Sequence, residues 1–311
     1  MKKIISYTIS LFTIFIFFML QNPVSAAENK ITNSNGIKIT EEQYENLKDL
    51  GFTDLAIDQM DKEIFDENKD LVLESKTETT KYYEISEGVP GPQLFSLETS
   101  EENPNYISTE LSEEEYFKRV EAAKSSIKPF STGSAQTSYR RLTTSIQRIS
   151  GDIRVHNKFV WDIIPVTRSY DTLSISIDST FSPLAGTQHG QQLWTTTHPM
   201  QGGLYGGNAT YTSASNAWNK QGAGYGVKMN LKDNTSTSRV VDLEGYMYYK
   251  IAKNSSVVPV YINAYGNYSH AKTTVSSSYS YSLSYGGPAI SWAGVTSTSF
   301  DTITTHAQTK Y

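Results

Sequence analysis

The chain has 311 residues, 32 acidic and 27 basic, a net charge of −5 and no cysteine. Without thiols there is no disulfide, no cysteine nucleophile and no thiolate metal site, so the core alone must hold the fold. The small net charge hides a division. Residues 27–130 hold 24 acidic and 11 basic side chains (net −13), whereas residues 131–311 hold 8 acidic and 14 basic (net +6), all four tryptophans, all five histidines and 15 of the 21 tyrosines. Two segments so different in composition are expected to be separate structural units.

The chain opens MKKIISYTISLFTIFIFFMLQNPVSAAENK. Lys2 and Lys3 precede an apolar run ending at Leu20, and Val24-Ser25-Ala26 has the small residues of a cleavage site. Residues 1–26 are therefore expected to be a secretory signal peptide cleaved after Ala26, which places the protein outside the cell. After Ala27 no apolar run approaches the ~18 residues of a membrane-spanning helix.

Residues 27–86 are predicted to form an acidic helical unit. In TEEQYENLKDLG, Thr40 and Gln43 have capping-box spacing, Glu41 and Glu42 suit the positive end of a helix, and Gly51 suits its exit. Thr53 and Asp61 would cap two further short helices. Phe52, Leu55, Ile57, Met60, Ile64 and Phe65 would close a small core, and residues 71–86 have strand character. Residues 87–130 are assigned as a linker and a helix. Three prolines and two glycines fall in 87–110, and Ser112 with Glu115 is a second capping box.

Residues 131–311 are written in strands. In SYDTLSISID, Leu173, Ile175 and Ile177 alternate with Ser174, Ser176 and Asp178. Period two also runs through RVVDLEGYMYYKI and VVPVYINAYGNYSH. In TVSSSYSYSLSYGGP, Tyr279, Tyr281, Leu283 and Tyr285 oppose a row of serines, and Gly286-Gly287-Pro288 makes a turn. A strand with its tyrosine face on a core is the expectation here. A membrane-spanning hairpin, which needs about 9–11 alternating residues per strand, would leave three tyrosine hydroxyls in hydrocarbon. The fold class expected is mainly β: an antiparallel β-sandwich-like C-terminal domain preceded by a small acidic α-helical segment.

The block FVWDIIPVTRSYDTLSISID (159–178), the block YGNYSHAKTTVSSSYSYSLSYGG (265–287), Phe300-Asp301 and TEEQYENLKDLGF resemble uncharacterised secreted proteins of Gram-positive spore-forming bacteria. The resemblance covers about half the mature chain. It implies secretion and a β-rich C-terminal unit, and it carries no known activity.

Catalytic signatures are missing. There is no HExxH helix, GxSxG elbow, P-loop or dinucleotide fingerprint. His189 and His198 lie nine apart with no carboxylate between them, so neither a metal nor another cofactor is expected. Asp242 and Glu244 share a strand face, whereas a glycosidase needs carboxylates that face each other. Arg154 and Lys158 share a face with His156. They are expected either to bind anionic polymers such as those of a cell wall, or to dock the acidic unit. Tyr246, Tyr248, Tyr261 and Tyr265 lie on the polar faces of two successive strands. Paired as a hairpin with Tyr248 opposite Tyr261, they would form an exposed aromatic strip. The function expected is that of a secreted, non-enzymatic binder of a cell-wall polymer, saccharide or protein, with no nucleic-acid partner and no predicted membrane contact. A pore-forming or antibacterial protein with an acidic propiece, and a hydrolase with a site not visible in the sequence, stand as alternatives.

Overall fold

The computed structural model describes residues 30–87, 106–126, 136–198, 200, 202–254 and 258–311. The segment 1–26, expected to be a signal peptide, lies outside the described residues. A short β-ribbon, β1 (Lys30–Thr32) and β2 (Lys38–Thr40), leads into α1 (Glu41–Asp49), α2 (Asp54–Asp58) and α3 (Lys62–Asn68). The local signals act as their chemistry dictates. Thr40 Oγ1 accepts from the Gln43 amide and Gln43 Oε1 accepts from the Thr40 amide, 3.1 Å each, closing the capping box. Thr53 and Asp61 cap the next two helices. Their apolar faces enclose Leu47, Leu50, Phe52, Ile57, Met60 and Ile64.

The rest is a two-sheet sandwich carrying a separate two-stranded hairpin. In chain order its strands are β3 (Leu73–Glu87), β4 (Tyr106–Leu111), β5 (Gln136–Ile149), β6 (Asp152–Ile163), β7 (Tyr170–Ile177), β8 (Phe181–Pro183), β9 (His189–Thr197), β10 (Leu204–Tyr211), β11 (Trp218–Gln221), β12 (Gly224–Asn230), β13 (Arg239–Lys253), β14 (Tyr261–Ala271), β15 (Ser280–Leu283), β16 (Ile290–Ala293) and β17 (Phe300–Lys310). Helix α4 (Glu113–Ser126) follows β4. The first sheet runs β10-β9-β13-β6-β5-β3-β4, with β8 beside the end of β13; the second runs β11-β12-β7-β14-β17. The pairings are antiparallel throughout. The mainly β, sandwich-like class expected from period two is the one observed.

Leu142, Ile146, Val155 and Phe159 from the first sheet meet Leu173, Ile175, Ile177, Ile262 and Ala264 from the second. Each of these Leu, Ile, Val and Phe side chains contributes roughly 1.5–3 kcal/mol when fully buried. A polar layer is set among them. Asn157 donates to the carbonyls of Ser174 (3.0 Å) and Asn267 (3.2 Å), and Thr144 Oγ1 donates to Asn157 Oδ1 (3.0 Å). Gly266 permits this layer, because a Cβ there would collide with Thr144 Oγ1.

Three of the four blocks behind the resemblance, all but TEEQYENLKDLGF, converge in one polar network. Trp161 Nε1 donates to Tyr268 Oη (2.8 Å), Tyr268 donates to Asp171 Oδ2 (2.5 Å), and His270 Nδ1 donates to the same oxygen (2.8 Å). The buried guanidinium of Arg140 pairs with Asp301 beside them. This network bolts the two sheets together through charged and aromatic side chains that have no water to turn to.

One boundary differs from expectation. The sequence puts the start of the sandwich at 131, yet β3 lies between β5 and β4 in the first sheet, drawn from the acidic segment. SKTETTK gives this strand no apolar alternation, because its first half borders solvent. The tract TVSSSYSYSLSYGGP forms a hairpin arm. Only Ser280–Leu283 is strand; Tyr279, Tyr281 and Leu283 are buried against Trp292, Phe300, Ala223 and Ala271, and Tyr285 is half exposed.

Candidate functional site

The proposed tyrosine strip is not one surface. Strand β13 pairs with β6 and β9 in the first sheet, and β14 pairs with β7 and β17 in the second. Tyr248 therefore stands opposite His156 and His189, not opposite Tyr261. The chain crosses from one sheet to the other between these strands, a step that period two cannot distinguish from a hairpin.

Tyr246 and Tyr248 are buried, at 2% and 4% exposure, beneath the helices. The Phe52 ring meets them edge-on at 5.2 and 6.3 Å. Tyr246 donates to Gln191 Oε1 (2.8 Å) and Tyr248 to Glu67 Oε2 (3.1 Å). Burial pushes both hydroxyls up. Arg154 and Lys158 lie in the same contact. Arg154 donates to Asn68 Oδ1 (2.6 Å), Gln147 Oε1 (2.8 Å) and the Leu50 carbonyl (3.3 Å), with its guanidinium 4.7 Å above the Tyr248 ring. Lys158 donates to the Gly51 carbonyl (3.0 Å). Both cations thus meet the exit of α1, where unpaired carbonyls carry the negative end of the helix dipole. Desolvation lowers Arg154 to about 10 and pulls Lys158 down as well. Of the two roles open to this basic face, the geometry is that of a dock for the helices. Among the described residues, no ion pair joins residues 30–70 to the sandwich.

A groove of about 660 Å³ borders this contact, lined by Thr53, Arg141, Lys158, Asp242 and Glu244 among others. Arg141 is neutralised by Asp162 and Lys48 by Asp54. Glu244 accepts from the Thr53 hydroxyl, and desolvation raises its carboxyl.

The open aromatic surface is on the second sheet. A cleft of about 440 Å³ is lined by Asp178, Thr180, Tyr261, Asn263, Tyr285 and Gly286. Tyr261 and Tyr285 are 43% and 49% exposed. Between them Asn263 Nδ2 donates to Asp178 Oδ2 (2.6 Å), while Asn263 Oδ1 accepts from Gln308 Nε2 (2.7 Å) and His306 Nε2 (2.8 Å). The amide is therefore fully oriented, and Asp178 Oδ1 has no hydrogen-bond partner among the described residues. Gly286, at φ +65, turns the chain so that Tyr285 reaches the rim; its amide bonds the Ile177 carbonyl (3.1 Å). Further along the face, Tyr265 stacks on His306, with centroids 4.5 Å apart and planes 7° apart.

Of the six residues singled out in sequence, Tyr261 and Tyr265 lie on this face, and the other four lie under the helices. Asp178, Asn263, Tyr285 and His306 are the additions. His189 and His198 do not share a site: His189 stacks near Tyr248 and His198 meets Tyr205. Among the described residues no group of three His, Asp or Glu side chains is placed to hold a metal ion. No protein-family model matches the chain, and neither does any curated protein.

Proposed function

We propose that the protein is a secreted, non-enzymatic binding protein that takes a saccharide of the cell envelope or its surroundings on the outer face of the second sheet. The observation that carries this reading is the cleft itself: two exposed tyrosine rings flank a rigid Asp178–Asn263 pair. Tyrosine faces cover the C–H side of a sugar ring while their hydroxyls stay in water. With Asn263 Oδ1 already accepting twice, Asp178 Oδ1 and the second Asn263 Nδ2 proton remain to accept from and donate to sugar hydroxyls. The cleft volume falls within the ~300–1,000 Å³ of small-molecule sites. Cleavage after Ala26 would deliver this face to the outside of the cell.

Binding to an immobilised panel of peptidoglycan and of neutral and anionic cell-wall polysaccharides tests the reading. Tyr261→Ala and Tyr285→Ala are each expected to weaken binding about tenfold or more, in line with ~1.4 kcal/mol per lost ring contact. If the wild type binds no member of the panel, or the variants bind as it does, the reading fails.

A further inference from the structure

The outer face of β7 continues from the cleft as a row of hydroxyls. Asp178 lines the cleft; Ser176, Ser174 and Thr172 follow at two-residue steps along the same face. Ser174 stands opposite Asn267 of β14, and Ser176 opposite Tyr265. The hairpin of β15 and β16 lies over this row. Its Tyr279 hydroxyl meets Thr172 Oγ1 (2.9 Å), and Tyr281 is pressed so close that Gly226 has no room for a Cβ beneath the Tyr281 hydroxyl and the Ser174 side chain.

The hydrogen bonds under the hairpin are incomplete. Ser174 Oγ, Ser176 Oγ, Asn267 Oδ1 and Tyr281 Oη are all buried without a partner, and their residues are 0%, 0%, 0% and 4% exposed. Buried polar groups are normally paired, and each one left unpaired opposes the burial that covers it. Other unpaired atoms, such as Arg140 Nε and His270 Nε2, belong to side chains that are bonded through another atom, whereas under the hairpin four residues on facing strands leave such an atom together. The hairpin is held on by an aromatic cluster, Tyr279 with Trp292 and Phe300, and by the Tyr281 carbonyl, which accepts from Asn219 and from Gln221 (3.0 Å). One set of contacts closes the hairpin, and the orphaned hydroxyls beneath it favour its opening.

We infer that the β15–β16 hairpin is a lid over a second subsite, in which Ser174, Ser176 and Asn267 extend the Tyr261–Tyr285 cleft and take the next neutral, hydroxyl-bearing unit of the same saccharide. The inference rests on the saccharide reading for its ligand, whereas its lid can be tested without any ligand. Ser174, Ser176 and Asn267 carry no charge and suit an uncharged sugar unit; the nearest cation, Lys228 opposite Thr172, is already bonded to the Ser277 and Tyr279 carbonyls. Opening exposes the row, and a bound sugar supplies the partners that the closed hairpin does not.

Single cysteines are clean reporters in a chain with none of its own. Ser174→Cys sits under the hairpin; Ala264→Cys is equally buried but faces the core between the sheets, and serves as the control. With both variants folded, a thiol reagent is expected to label Ser174→Cys at least about tenfold faster than Ala264→Cys, because local opening precedes global unfolding. Equal rates would mean a fixed hairpin whose hydroxyls hold only water, and would overturn the lid whatever the protein binds. Ser176→Ala gives the second arm. Removal of an unpartnered hydroxyl is expected to leave the melting temperature unchanged or higher. Affinity for a tetrasaccharide cut from the best-binding panel polymer should fall several-fold, while affinity for its monosaccharide stays the same. If the variant binds both as the wild type does, the subsite is refuted and the cleft stands. If the wild type binds neither, the saccharide reading fails and the subsite with it, while the labelling rates still decide the lid.

Discussion

Arg154 donates from Nη2 to the Leu50 carbonyl, and this single contact joins the basic half of the chain to the acidic half without touching a carboxylate. The guanidinium is buried, and its remaining bonds go to amide oxygens of Asn68 and Gln147. The helices are therefore held to the sandwich by aromatic packing, a helix end and hydrogen bonds of amides and hydroxyls, with the Glu67 and Glu244 carboxylates accepting from hydroxyls and not from cations.

Arg154→Met is expected to destabilise the protein by about 2–4 kcal/mol, because it strands the Asn68 and Gln147 amide oxygens in a dry contact while keeping the side-chain volume; the Leu50 carbonyl still accepts from Gln147 Nε2. Arg148→Met is the comparison. Its guanidinium bonds the Lys310 carbonyl at an exposed site, and a change within ~0.5 kcal/mol is expected there. Urea denaturation measures both. A loss of less than about 0.5 kcal/mol for Arg154→Met would show that the helix exit contributes nothing at this contact.

The pH response of the same region follows from His189. Burial lowers its folded-state pKa to about 4, against an ordinary value of 6.5. The unfolded chain then binds more protons than the folded one between these values, so stability should fall as pH drops from ~6.5 to ~4, by on the order of 3 kcal/mol for this group. The buried carboxyl of Glu244 is raised and acts in the opposite sense, losing stability as pH climbs above its ordinary range. Subtracting the stability curve of His189→Gln from that of the wild type removes the Glu244 contribution. A flat difference between pH 6.5 and 4 contradicts the assignment.

The sandwich was legible wherever one face of a strand was apolar and the other hydroxyl-bearing, as in Leu173–Asp178. Which polar face stays wet was not. Tyr246 and Tyr248 alternate just as Tyr261 and Tyr265 do, but a layer of helices covers the first pair. Period two reports that a strand has two faces and is silent on what lies over each. Strand β3 was legible as a strand, but not as part of the sandwich, because Lys76, Glu78 and Thr80 give it no apolar face to mark the sheet it joins. Tyr285 continued a buried row in the sequence, yet lies past the strand end, where the Gly286 turn swings it outward. Asp178 carried a readable signal: it ends an alternating strand with a charge, at the sheet end where loops and clefts gather.

The last prediction concerns the acidic segment as a removable mask. A mask must leave once the chain is cut. Here β3 is hydrogen-bonded to β5 along the stretch from Leu73 to Glu87 and to β4 on its other side, so the acidic half contributes an interior strand of the first sheet. Phe52, Tyr246 and Tyr248 add an apolar contact that salt does not screen. Protein nicked once between residues 87 and 106 is therefore expected to run as two bands on a denaturing gel and as one species on a native sizing column, in dilute buffer and in 1 M salt alike, since screening within ~3 Å at that ionic strength affects exposed charges alone. Release of the acidic fragment at high salt would restore the charge-held mask, and with it the propiece alternative. Retention in both buffers leaves the acidic half as part of the folded protein.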